Sequence, residues 1–177
     1  AKNIGYNFLA NLNDADRKLC FILGINEKPS GQGKLPDAVA DALSVISSNQ
    51  GNKILLAKVD HERHKNFSIS GNIKDIFEKK ENRSMLENQP NIKAIEIEDN
   101  PKSIQTLNDM SKSGQFDKIF ISVDSSFSEA LKHELLKKSD TYILVGSKGY
   151  CTIDNVDRYV LEDPNSVKIP SGLILVG

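Results

Sequence analysis

Apolar residues follow two patterns along the chain, short runs and helically spaced stripes. Six short runs predict β-strands, and most of them are apolar on both sides, as strands buried in a parallel sheet are. The run IKAIEI alternates instead, which predicts a strand with one exposed face. The predicted strands cover 19–23, 53–59, 92–97, 119–123, 142–146 and 173–176.

The stripes predict helices that precede or separate these strands. Pro101 suits the first position of one helix, and Ser125 and Ser126 are predicted to cap the helix after Asp124. The alternation predicts one doubly wound α/β domain over residues 1–177, with a mostly parallel sheet and helices on both faces. The predicted apolar helix positions are Ile4, Phe8 and Leu12; Val39, Ala42, Leu43 and Ile46; Ile73, Ile76 and Phe77; Ile104, Leu107 and Met110; Phe127, Ala130, Leu131 and Leu135; and Ile153, Val156 and Val160.

The composition narrows the possible classes of protein. The chain has 177 residues, 38% of them hydrophobic and 27% charged, which is ordinary for a globular domain. A net charge of −1 gives no reason to expect binding to nucleic acid or to an anionic membrane surface. The two cysteines, Cys20 and Cys151, are far apart in sequence, which favours a reduced protein over a disulfide framework.

The segment after the first strand has the composition of a phosphate-binding loop. It contains Gly31, Gln32, Gly33 and Lys34, and a helical pattern follows. Glycines let backbone N–H groups approach a phosphate, and the lysine adds a positive charge. The full pattern also requires glycine at position 28 and a hydroxyl at position 35, where this chain has lysine and Leu35. A surface loop with a solvated lysine is therefore the alternative.

The order of these segments resembles the cytoplasmic kinase domain of bacterial tyrosine kinases, the exopolysaccharide chain-length regulators, which are P-loop proteins. SGQGKL resembles the phosphate loop of that family, ILLAKVDHER its second nucleotide motif, and FDKIFISVD the strand with its Walker B aspartate. SDTYILVGSKGYCT and GLILVG resemble its later strands. The resemblance covers nearly the whole chain and implies a P-loop NTPase-like fold.

The departures from the family pattern fall on the positions that would hold Mg²⁺. Leu35 replaces the hydroxyl, Lys58 replaces the first aspartate of the second motif, and Ser122 replaces the Walker B aspartate. Asp60 retains the second aspartate of its motif. The resemblance therefore implies a pseudokinase with no catalytic residue, no metal site and no required cofactor. Gly31 to Lys34 would be a vestigial anion site that binds ATP or ADP weakly, and Lys58 would replace the charge of the metal or block its site.

The resemblance also implies a role for the domain. It would be the cytoplasmic part of an inner-membrane protein, attached to the membrane only through segments outside residues 1–177. It would regulate exopolysaccharide biosynthesis or export through contacts with other subunits or domains of a polysaccharide complex.

Three alternatives remain open at this point. An active Mg²⁺-dependent ATPase or autophosphorylating tyrosine kinase would need Asp60 or Asp124 in the metal-binding role. A flavodoxin-like binding module would resemble a P-loop protein by coincidence. Asp60 to His64, DHERH, contains ligands that suit a metal, although a charged and solvated loop explains it as well.

Overall fold

A computed structural model describes residues 17–25, 35–59, 89–160 and 172–176. Each predicted strand is confirmed to within two residues at either end. The stripes predicted around Ile4 and Ile73 lie outside the described residues. The strands are β1 (Leu19–Ile25), β2 (Ile54–Val59), β3 (Ile92–Ile97), β4 (Lys118–Val123), β5 (Thr141–Ser147) and β6 (Gly172–Val176), and the described helices are α1 (Leu35–Asn49), α2 (Pro101–Lys112), α3 (Glu129–Lys138) and α4 (Ile153–Val160).

The six strands form one sheet in the order β3-β2-β4-β1-β5-β6, and every pair is parallel. β4 therefore lies between β1 and β2. In a flavodoxin-like sheet, whose order is 2-1-3-4-5, the first two strands are neighbours. The observed order confirms the doubly wound α/β prediction and shows that the flavodoxin-like alternative is wrong as a fold.

Side chains alternate between the two faces of the sheet, and helices cover both. Phe21 and Leu55 belong to the face packed against α2, α3 and α4, and both are fully buried. Ile22 and Phe120 belong to the opposite face, which packs against α1. Because the strands are apolar on both sides, they can be buried between two helical layers, as the continuous apolar runs predicted.

The buried face of α1 differs from the predicted stripe. Leu43 is buried as predicted, and Val39 and Ile46 pack against the same apolar cluster, but Ala42 is exposed. Three serines of α1 are buried instead, Ser44, Ser47 and Ser48. Serine is small enough to let a helix lie close to a sheet, and the Ser47 hydroxyl accepts a hydrogen bond from Asn52 Nδ2 at 3.0 Å. Apolar periodicity does not detect such a face.

The beginnings of the next two helices test the capping predictions. Pro101 occupies the first turn of α2, as predicted, and Asn100 caps the helix by accepting a hydrogen bond from Ser103 N at 2.9 Å. The cap of α3 is Ser128, so the prediction of Ser125 and Ser126 was wrong. Both serines lie in a turn before the helix. The Ser126 amide and hydroxyl donate to Asp124 Oδ1 at 2.8 and 2.5 Å, and this local pairing keeps the turn out of the helix.

The predicted apolar face of α3 is only partly correct. Leu131 and Leu135 are buried, whereas Ala130 is exposed and Phe127 is buried in the turn before the helix. The fully buried side chain that the prediction missed is Lys132.

Both cysteines are free thiols, and burial raises the pKa of Cys20 to about 12. In the part of the chain that the structure describes, no helix combines the length and the apolarity that crossing a bilayer requires.

Candidate functional site

The carboxyl ends of β1, β2 and β4 and the beginning of α1 meet at one edge of the sheet. Ligands of open α/β sheets bind at this edge. Gly31, Gln32, Gly33, Lys34 and Asp60, which were predicted for this site, lie outside the described residues. The other predicted positions are described.

Leu35 is the first residue of α1 and is half-buried. Its side chain packs against the apolar cluster between α1 and the sheet. Since an alkyl side chain carries no lone pair, the position contributes packing and offers no ligand to a metal.

Lys58 and Ser122 lie side by side. They are paired residues in the register of β2 and β4, near the carboxyl ends of both strands. Both side chains reach α1, where acidic side chains meet them. The structure therefore brings together two of the positions at which the chain departs from the kinase pattern.

Two aspartates of α1 complete the arrangement, one helical turn apart. The Ser122 hydroxyl donates a hydrogen bond to Asp37 Oδ1 at 2.6 Å. The Lys58 ammonium forms an ion pair with Asp41 Oδ1. We call Asp37, Asp41, Lys58 and Ser122 the α1 cluster. It fastens the first turns of α1 to two strands of the sheet.

The α1 cluster is partly shielded from solvent. Ser122 is fully buried, and the side chains of Lys58 and Asp41 are 25% and 35% exposed. Burial raises the pKa of Asp41; the Lys58 ammonium opposes this effect, and the Asp37 carboxylate adds to it.

These residues do not fit the Mg²⁺ ion that a P-loop kinase fold implies. An ammonium and an alkyl side chain occupy two of the three ligand positions, and the hydroxyl at the third is directed at Asp37. Across the described ranges, no three His, Cys, Asp or Glu side chains lie close enough together to hold a metal ion. Asp124, considered as a replacement ligand, is buried and accepts both hydrogen bonds of Ser126 through Oδ1.

A second polar cluster lies on the other face of the sheet. Lys132 of α3 is 1% exposed, and its ammonium donates to the Ser125 carbonyl at 2.7 Å and to Glu129 Oε1 at 2.8 Å. The Tyr159 hydroxyl of α4 donates to the same carboxylate at 3.0 and 3.1 Å. We call Ser125, Glu129, Lys132 and Tyr159 the α3 cluster. It holds the turn after β4 against two helices.

The fold is similar to that of two solved kinase domains. The chain is similar to the kinase domain of VpsO, with a TM-score of 0.63 and 16% identity over 98% of this chain and 91% of that one. It is also similar to the kinase domain of the Escherichia coli tyrosine kinase ETK, with a TM-score of 0.61 and 14% identity over 96% of this chain and 70% of that one. The fold is that of a bacterial tyrosine-kinase domain.

This result confirms the fold that the resemblance implied, over nearly the whole chain. No model of a protein family matches the chain, and no curated protein does. Identities of 16% and 14% establish the fold alone, so the activity has to be argued from the site itself.

Sequence reasoning found Lys58 and Ser122 but missed their partners, Asp37 and Asp41. A signal was present, because two aspartates four residues apart lie on one side of a helix. Residues 26–34 separate that helix from the first strand, and its beginning lies at the carboxyl ends of the strands.

Proposed function

We propose that this domain is a catalytically inactive, tyrosine-kinase-like regulator of exopolysaccharide biosynthesis or export. The kinase-domain fold supports the class, and the α1 cluster supports the loss of catalysis. In the proposal, the domain acts through binding to other subunits or domains of a polysaccharide complex. It lies on the cytoplasmic side of the inner membrane and is attached through segments outside residues 1–177.

The observation that carries the proposal is the contact between Lys58 and Asp41. Phosphoryl transfer by P-loop enzymes depends on a divalent cation that bridges the phosphates and neutralises developing charge. Here a protein ammonium already pairs with the carboxylate nearest to it, and Ser122 donates to the other carboxylate. A metal entering this place would have to displace both contacts.

Nucleotide binding is the part of the proposal that calorimetry can test directly. Titrating ATP and ADP, each with and without Mg²⁺, should give weak binding that Mg²⁺ does not strengthen. Lys34→Ala should weaken whatever binding remains, since Lys34 is the one cation in the glycine segment Gly31 to Lys34. Phosphate release from ATP by the wild type should not exceed that by the Lys34→Ala variant.

Two results would contradict the proposal. Mg²⁺-strengthened ATP binding, together with phosphate release above the Lys34→Ala level, would indicate an active ATPase or autophosphorylating kinase. Unchanged amount and chain length of exopolysaccharide in cells lacking the gene would contradict the regulatory role.

A further inference from the structure

The α1 cluster places two carboxylates of one helix beside a lysine and a serine from two strand ends. Asp37 and Asp41 are one helical turn apart, so their Cβ atoms are separated by roughly 5–6 Å. Like charges at this spacing destabilise a helix. A cation beside the pair relieves the repulsion, and Lys58 supplies one through its ion pair with Asp41.

We infer that the Lys58 ammonium is a tethered cation that takes the place of a divalent metal ion against α1. The inference has two consequences. The wild-type cluster excludes divalent cations, and a carboxylate at position 58 converts the same cluster into a divalent-cation site. The inference uses the same residues as the proposed function, but it can be tested without nucleotide.

The contacts of Asp41 show what the cation contributes. Its Oδ1 atom is buried although the side chain as a whole is 35% exposed, and Lys58 is the ion-pair partner that the structure gives it. Burying a carboxylate without a compensating charge is costly, and water compensates only the exposed part. When the ammonium is removed, another cation or a proton would compensate the rest.

The geometry also determines what a substitution at position 58 would create. Positions 58 and 122 are paired in register on adjacent strands, which are about 4.8 Å apart. An aspartate at position 58 would bring a third carboxylate to Asp37 and Asp41, with the Ser122 hydroxyl beside them. Hard divalent cations such as Mg²⁺ and Mn²⁺ prefer such all-oxygen surroundings.

The experiment compares thermal unfolding of the full chain with and without MnCl₂, for the wild type, Lys58→Asp, Lys58→Met and Lys93→Asp. Lys93 is an exposed lysine of β3, so its substitution changes net charge equally at a different position of the sheet. Mn²⁺ should raise the unfolding midpoint of Lys58→Asp by roughly 5 °C. The wild type and Lys93→Asp should show no such rise, and Lys58→Met should show a smaller one.

The electron paramagnetic resonance signal of free Mn²⁺ measures binding independently of stability. Lys58→Asp should deplete this signal with a stoichiometry of one, and a further Asp41→Asn substitution should abolish the depletion. If Lys58→Asp folds only in the presence of Mn²⁺, the inference is supported. If it folds in neither condition, Lys58→Met becomes the test: a rise of its unfolding midpoint on adding Mn²⁺ supports the inference, and no rise contradicts it. The inference would be overturned if the wild type and Lys58→Asp bound Mn²⁺ equally. It would also be overturned if Mn²⁺ raised the unfolding midpoint of neither Lys58 variant.

Discussion

Each face of the sheet has a lysine paired with a carboxylate. The two lysines differ in how exposed they are and in how far along the chain their partners lie. Lys132 is 1% exposed, and its partners lie within seven residues of it along the chain. Lys58 is 25% exposed and joins a strand to a different element, the helix α1. The first lysine stabilises a local turn, whereas the second spans the edge of the sheet at which ligands of this fold class bind.

The difference shows which lysine is the better candidate for function. A buried ammonium needs hydrogen-bond acceptors all around it, and the α3 cluster supplies a carbonyl and a carboxylate. A half-exposed ion pair at the ends of strands contributes little to stability, because solvent screens it. Its placement at this edge of the sheet supports the proposal that it acts in the site.

The largest effect is expected from Lys132→Met, which keeps the length of the side chain and removes the ammonium. The Ser125 carbonyl and the Glu129 carboxylate lose a donor, so we expect the free energy of unfolding to fall by about 1–3 kcal/mol. Denaturant unfolding measures this change. Lys137→Met, at an exposed position of the same helix, is the control and should change stability less. An equal loss in both variants would show that the α3 cluster does not stabilise the fold.

Ser122→Ala should have the next largest effect. The substitution removes the hydrogen bond to Asp37 from a fully buried position, and we expect a loss of about 1 kcal/mol in the free energy of unfolding. Ser125→Ala, at an exposed position, serves as the control. A double-mutant cycle with Asp37→Ala tests the pairing, and a coupling energy near zero would contradict it.

Lys58→Met, the same chemical change as Lys132→Met, should cost less. Its ion pair with Asp41 is partly exposed on both sides, so we expect a loss of about 0–1 kcal/mol that shrinks further as salt is added. Unfolding at low and high ionic strength, with Lys93→Met as the control, measures both quantities. A loss as large as that of Lys132→Met would remove the contrast between the two lysines.

The sequence was sufficient to predict the strands and the order of elements, because apolar runs and helical stripes report burial directly. Three features of the described residues escaped it. The buried serines of α1 are invisible to apolar periodicity, and Ser128 was missed as a cap because Asp124 and Ser126 form a turn before it. The burial of Lys132 depends on two acceptors, the Glu129 carboxylate and the Ser125 carbonyl. The i,i+3 spacing in the helix indicates the first acceptor but not the second.

The candidate site was predicted only in part, because the sequence indicates positions on strands but not how a helix packs against them. Lys58 and Ser122 were identified by comparing segments of the chain with the motifs of bacterial tyrosine kinases. The structure places the two residues side by side. Their contacts with Asp37 and Asp41 depend on how α1 lies across the strand ends. That packing is a tertiary property, and the spacing of the two aspartates on one side of the helix does not by itself fix it.

The smallest effect concerns the acid stability that the α3 cluster provides. Burial works against ionisation of Glu129, but the hydrogen bond and charge of Lys132, with Tyr159 and Arg158, lower its pKa below 4.5. A carboxyl whose pKa is lower in the folded state stabilises the protein above its ordinary pKa and loses this contribution as the pH falls through the folded value.

Glu129→Gln should therefore flatten the decline of stability below pH 4.5, measured by denaturant unfolding across the acid range. Glu134→Gln removes one carboxylate from the same helix, where it pairs with the exposed Lys138, and is the matched control. An unchanged slope in Glu129→Gln would mean that the carboxylate is as well solvated in the folded protein as in the unfolded chain, and the α3 cluster would then depend on the Ser125 carbonyl.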